Sequence, residues 1–319
     1  GISISAGTAS VLEGSAGHII DTFGNTREDT NQDGRLDYKV DKIIKTRFDS
    51  ASNSVKVDKY VDSDGDGLPN DQNSDGVVTT ADCNPCGQAL SDILPIWEAG
   101  KQLALKDSTT RTILTWVDSD HDGVVDSGEQ LAFTTANEPT LRPYLRAASS
   151  AEGTKIINFV RGCDVGTCAE QATTRDRRLQ VPSGSGSLKV WKLGDVIHST
   201  PTVVAGPKDR HDAIYGDQSY AAFLQKWYKR RQVAYVGGND GMLHAFNAGY
   251  YHSGDDVSAA APANTTEHGW FTTAPDDNSS GAPLGDELWG FVPYELRPQL
   301  EFLSRADYQH TYYVDLPLK

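Results

Sequence analysis

Apolar positions along this chain change period several times, and each change predicts an element. Residues 111–117 and the shorter run 131–135 are β-branched and aromatic, which predicts two strands of one hairpin. From 89 to 105 apolar residues recur at helical spacing, with Pro95 marking a start or a kink. Residues 155–161 predict a further short helix or strand. The small, flexible run 181–187 then breaks the pattern and places a boundary between a first domain, 1–187, and a second, 188–319.

Beyond it, strand patterns occur at 188–193, 200–205, 232–236 and 242–246. The last two enclose Gly237-Gly238-Asn239-Asp240-Gly241, whose Asp-Gly pair signals a hairpin. Residues 220–231 put Phe223, Leu224 and Trp227 on one face, which predicts a surface helix packed on a sheet. Residues 254–285, rich in Ala, Pro, Asp, Asn and Ser, predict a long loop. The fold class expected is α+β, mainly β with α segments.

Candidate chemistry lies between the two strands of the first hairpin. Asp118, Asp120 and Asp122 stand at positions 1, 3 and 5 of a twelve-residue calcium loop, Gly123 allows the turn at 6, and Val124 offers its carbonyl at 7. Asp126 can reach the ion through water at 9, and Glu129 can close the sphere with both oxygens at 12. Clustered carboxylates repel one another without a cation, so a hard, oxygen-seeking Ca2+ is the natural partner.

Three further loops follow the same spacing. One starts at Asp62, Asp64 and Asp66 with Gly67 and the Leu68 carbonyl. The next has Asp71, Asn73, Asp75, Gly76, the Val77 carbonyl, Thr79 and Asp82. These two overlap, so Asp71 could serve either ion. The last runs through Asp29, Asn31, Asp33, Gly34, the Arg35 carbonyl and Asp37, but Val40 holds position 12 and only Asp41, one place later, could substitute. Asp, Asn and Gly also crowd exposed turns for conformational reasons, which is the bland alternative for each loop. Strand-forming flanks make the 118–129 ion a structural staple, since no helix pair is there to open.

Charge and cysteines narrow the setting. A formal net charge of -15 over 319 residues argues against nucleic-acid or anionic-membrane partners. No apolar run approaches a membrane span. Cys83 with Cys86 and Cys163 with Cys168 form two close pairs, read first as local disulfides of an oxidising compartment, with cross-pairing open. No βαβ pattern surrounds Cys83-Asn84-Pro85-Cys86 to support redox chemistry, and Gly87 replaces the His that haem attachment needs. His198, His244 and His268 are scattered and read as structural, and Ser199 beside His198 forms no triad, because adjacent strand residues face opposite ways.

One combination of segments resembles a known family. Gly194-Asp195-Val196-Ile197-His198-Ser199-Thr200-Pro201, the run from Tyr235 through Gly237-Gly238-Asn239-Asp240-Gly241 to Asn247, Glu287-Leu288-Trp289-Gly290-Phe291-Val292-Pro293 and Tyr312-Tyr313-Val314-Asp315 resemble the opening blade of the PilY/PilC-type proteins of bacterial type IV pili. Upstream, residues 24–34, 97–100 and 159–162 are similar to the connector before that family's propeller. The resemblance implies a calcium-loop-bearing connector followed by the first blade or blades of a quinoprotein-like β-propeller. It also implies an extracellular, cell-surface protein at the pilus tip that binds minor and major pilins, and host-cell or abiotic surfaces, without membrane insertion. A propeller needs several blades to close, so the chain is expected to be truncated at both ends. The rival readings are a quinone-cofactor-dependent propeller oxidoreductase and a calcium-stiffened spacer. No catalytic motif supports the first, so a binding protein rather than an enzyme is expected.

Overall fold

The computed structural model describes residues 2–5, 8–13, 16–21, 23–32, 35–163, 168, 173–181, 186–253, 267–275 and 281–317. The chain gathers into two compact units, each drawn from three segments of sequence: Gly1–Glu98, Ala205–Gln232 and Ala248–Leu284 in the first, and Ala99–Val204, Val233–Asn247 and Gly285–Lys319 in the second. Residues 182–185 of the linker expected at 181–187 lie outside the described residues.

The first unit is built on strands β1 (Ile2–Ser5), β2 (Thr8–Glu13), β3 (Ala16–Ile20), β4 (Thr26–Arg27), β6 (Ile43–Asp49) and β7 (Ser54–Tyr60), paired in that order. Strand β8 (Trp97–Glu98) pairs with β3. β6 and β7 stay in register from Ile43↔Tyr60 to Asp49↔Ser54. Their open end buries Ile43, Ile44, Val57 and Tyr60 against Cys83 and Ile93, whereas Phe48 and Val55 near the turn stand in solvent. Cys83 and Cys86 are disulfide-bonded, as are Cys163 and Cys168 in the second unit, so both pairs close locally.

Two expectations for the first unit fail in part. Strand β16 (Glu267–Thr272) interrupts the loop expected at 254–285, pairing with β5 (Arg35–Asp37) on one side and with Tyr250–Ser253 on the other. Its Trp-Phe-Thr end favours extended backbone despite the Ala- and Pro-rich surroundings. Residues 254–266 and 276–280 of that expected loop lie outside the described residues. The helix expected at 220–231 forms as α5 (Gln218–Trp227), capped by Asp217, which accepts the amides of Ser219 and Tyr220. No residue of α5 or of α4 (His211–Tyr215) is buried, and Phe223 and Trp227 keep 43% and 38% of their exposure. Rings of the two helices meet one another: Tyr220 packs 5.0 Å from His211 and 5.8 Å from Phe223.

The second unit carries a sheet in the order β10 (Gln130–Ala132), β9 (Ile113–Trp116), β17 (Glu287–Phe291), β15 (Met242–Ser253), β14 (Gln232–Gly238), β13 (Thr202–Val204). β9 and β10 form the expected hairpin, and β9 joins β17 in parallel. A turn closed by the Gly241 amide on the Gly238 carbonyl links β14 to β15, and Gly241 has φ +88 there, which only glycine adopts without strain. Strands β11 (Arg178–Gln180) and β12 (Leu188–Val190) pair separately. Both sheets are open, and the class is α+β as expected.

The expected helix 89–105 begins only at Ala99, as α1 (Ala99–Leu105), because 93–98 run extended into β8. Residues 155–161 belong to a full helix, α3 (Ser150–Arg161), started by the Ser149 hydroxyl on the Glu152 amide and stopped by Gly162 at φ +78. With α2 (Glu138–Leu141) and α6 (Leu300–Ser304), α3 buries Ile156, Ile157, Phe159 and Val160 against Ile113, Phe133, Met242 and Val292.

A buried charge network ties this unit together. Arg111 holds Glu287 with both arms, at 2.7 and 2.8 Å, and donates to the carbonyls of Val160 and Arg161. His244, fully buried, bridges Glu287 at 2.8 Å and Asp240 at 3.0 Å. Asp240 also accepts the Gly194 and Met242 amides. Burial alone would discharge His244, but Asp240 and then Glu287 outweigh it and hold its pKa up to about 9. Glu287 is driven well below the usual carboxylate range because Arg111 and His244 outweigh its burial.

A raised histidine stabilises the fold fully below its unfolded value near 6.5 and loses that contribution as pH rises through about 9. Denaturant melts should therefore show stability falling between pH 6.5 and pH 9 by on the order of 3 kcal/mol. His244→Gln should flatten that slope. Glu287→Gln, which takes the carboxylate from Arg111 and leaves His244 with Asp240 alone, should cost about 3–5 kcal/mol at neutral pH.

Candidate metal centres

The loop 118–129 is folded around its own carboxylates. Asp118 accepts the amides of Asp122 and Gly123, at positions 5 and 6, and Asp122 accepts that of Val124, at position 7. Glu129 reaches back across the loop: one oxygen accepts the Ser119 amide at 2.6 Å, the other the Asp126 amide at 2.9 Å, positions 2 and 9. His121, at position 4, takes φ +66, uncommon for a residue with a side chain. Val124 points its hydrocarbon side chain into solvent at 57% exposure, and its backbone carbonyl is the one ligand it can offer an ion.

The same wiring recurs in 71–82. Asp71 accepts the amides of Asp75 and Gly76, Asn73 that of Asp75, and Asp75 that of Val77. Asp82 closes on Gln72 and Thr79, again positions 2 and 9. Ser74 at position 4 has φ +60. In the loop from Asp29, the residue one place late takes the closing role: Asp41 accepts the amides of Thr30 at 2.9 Å and Asp37 at 2.8 Å, positions 2 and 9 once more. Gln32 at position 4 has φ +58. Val40 therefore does not break this loop. Asp33 and Gly34, and the Arg35 side chain, lie outside the described residues.

The loop from Asp62 begins alike and ends differently. Asp62 accepts the amides of Gly65, Asp66 and Gly67, and Asp66 that of Leu68. The Ser63 amide, at position 2, is met by Asn70 at 2.6 Å, while Asn73 and Asp71 are engaged inside the following loop. One Asp62 oxygen also carries the buried guanidinium of Arg27 at 2.5 Å. Arg27 holds Asp21 at 2.6 Å as well and donates to the carbonyls of Tyr38 and Asp41. A protein cation thus sits on the first ligand of this loop and anchors the neighbouring one.

Carboxylate oxygens gather within 4.8 Å of one another in three groups among the described residues: Asp118, Asp120 and Glu129; Asp120, Asp122 and Asp126; and Asp62, Asp64 and Asp66. The 118–129 loop supplies two of the three, with all-oxygen donors that suit a hard divalent ion. Among the described residues, the loops 29–41 and 71–82 supply none. Peptide N–H groups keep the closing carboxylates ionised. The Asp126 and Ser119 amides lower the pKa of Glu129, and the Thr79 amide that of Asp82.

Sequence reasoning missed Arg27, Asn70 and the Arg111, Glu287 and His244 cluster. Asn70 has one local signal, since it stands at position 9 of its loop. Buried arginines have none. The histidines divide as their surroundings dictate: His244 is structural and buried, His198 pairs with Asp315, and the His268 side chain lies outside the described residues. The Ser199 hydroxyl accepts the Gly237 amide.

No protein-family profile matches the chain, and no solved structure matches it. Among curated proteins, two from Xylella fastidiosa (strain Temecula1 / ATCC 700964) are similar, each described as a type IV pilus biogenesis factor PilY1 homolog. One is 29% identical over 198 residues, covering 59% of this chain and 12% of that protein; the other is 28% identical over 180 residues, covering 52% and 9%. The match spans a small part of either relative's own length. What it supports is a likeness to PilY1-type pilus biogenesis factors.

Proposed function

We propose that this chain is a calcium-stabilised part of a cell-surface type IV pilus protein, working at the pilus tip in assembly and adhesion through protein–protein binding. The observation behind the calcium is the repeated wiring, in which a closing carboxylate accepts the amides of positions 2 and 9 in three separate loops. The pilus assignment rests on the similarity to the two PilY1 homologs. Both local disulfides fit a site outside the cell. Among the described residues no helix is long and apolar enough to cross a membrane.

The propeller reading draws support from strands β13, β14, β15 and β17, which neighbour one another in that order, as successive strands of a blade would. The hairpin β9–β10 extends the same sheet, so an ion in 118–129 would brace that sheet directly. We read the chain as a binding protein without catalytic activity. Minor and major pilins, and host-cell or abiotic surfaces, are its proposed partners.

Ions bound only by the folded state stabilise it by mass action, by about 2.7 kcal/mol at a hundredfold excess over Kd. The melting temperature should therefore rise with calcium and fall with EDTA, and an unchanged melt would remove the calcium proposal. Glu129→Ala should abolish one calcium equivalent in a titration and leave the others. Purified chain should retain minor pilins in a pull-down with calcium and release them under EDTA; retention indifferent to both, or none at all, would count against the tip assignment.

A further inference from the structure

Buried guanidinium groups in the second unit are, as a rule, well supplied with acceptors. Arg111 has Glu287 and two carbonyls, and Arg161 donates to the carbonyls of Phe133, Ser108, Thr109 and Arg111. Arg297 leaves one Nη unmatched, and the half-buried Arg175 and Arg177 break the pattern at Nε. The Nε of each is buried with no hydrogen-bond partner. Arg175 lies 4.0 Å over the Tyr308 ring and Arg177 3.8 Å over the Phe159 ring. Arg177 donates to the Phe159 carbonyl at 2.5 Å.

Both arginines line a cleft of about 270 Å³ whose wall includes Trp191, Leu193 and Asn239. The carboxylates along that wall are already engaged. Asp176 is held by Arg178 at 2.7 Å, Asp195 by His310 at 2.7 Å, and Asp240 by His244 and the Gly194 amide. Burial, and then the charge of Arg175, lower the Arg177 pKa to about 9, which leaves it protonated at neutral pH. Two like charges therefore face one cleft, and the carboxylates that act on them, Asp195 on Arg175 and Asp240 on Arg177, already hold other partners. Guanidinium forks beside an apolar wall match a carboxylate on a short carbon stem.

We propose that this cleft is an anion site for a carboxylate, presented by a small organic acid or by an acidic side chain of another protein. The site is independent of the metal loops and of the pilus assignment.

The test is calorimetric titration of the full chain with succinate, an acetylated glutamate-rich peptide, inorganic phosphate and neutral succinamide. The expected result is saturable one-to-one binding of succinate or the peptide, none of succinamide, and a loss of about tenfold or more in Arg175→Gln and Arg177→Gln. Tighter binding of the peptide assigns the ligand to a protein side chain, and tighter binding of succinate assigns it to a small acid. Replacing Arg177 also removes its packing on Phe159, so Arg175→Gln, stacked on Tyr308 and half-buried, is the arm to read if Arg177→Gln melts early. Phosphate binding as tight as succinate, no saturable binding, or binding unchanged in Arg175→Gln would overturn the proposal.

Discussion

Buried carboxylates persist in this chain where a side-chain cation or peptide N–H groups reach them. Asp21 and Asp62 meet Arg27, Glu287 meets Arg111, Glu28 meets Lys59 at 2.7 Å, and Asp41 meets two amides. An uncompensated charge in such places would cost several kcal/mol, more than most single apolar contacts contribute. With 44 acidic residues against 29 basic ones, this constraint governs where strands and loops can lie. Arg111 shows it most directly, drawing the ends of β9, α3 and β17 together around one planar cation.

The four acidic loops are variations on one backbone solution. In each the fourth residue takes a left-handed conformation, at φ +58 in Gln32, +77 in Gly65, +60 in Ser74 and +66 in His121. In the loops from Asp62, Asp71 and Asp118 that kink points successive amides inward, where the first carboxylate collects them. The loops differ in what closes them: Glu129, Asp82, a displaced Asp41, or Asn70. Tolerance of so many closing groups shows that the shape comes from the opening carboxylate and the kink, with the last ligand adjusting to it.

Local patterns were legible in the sequence. Hairpin β9–β10, the turn at 238–241, both cysteine pairs and the reserve place of Asp41 follow from neighbours within about a dozen positions, whereas 155–161 left helix and strand both open. Partners far apart in the chain were not. Arg27 finds Asp62 35 positions away, and Arg111 finds Glu287 176 positions away, so neither pairing leaves a periodic trace. Strand β16 was hidden by its Ala- and Pro-rich flanks, and α5 misled in the opposite sense, because an amphipathic face promises burial without naming what provides it.

Arg27 gives the loop from Asp62 a cation that can never be diluted away. A free ion occupies its ligands according to its concentration outside, but a guanidinium tethered six residues from Asp21 stays at a fixed and very high effective concentration. Chelators and fresh water have no hold on it. The Arg27 junction, with its bonds to the Tyr38 and Asp41 carbonyls, would keep its form in habitats where dissolved divalent metals are scarce.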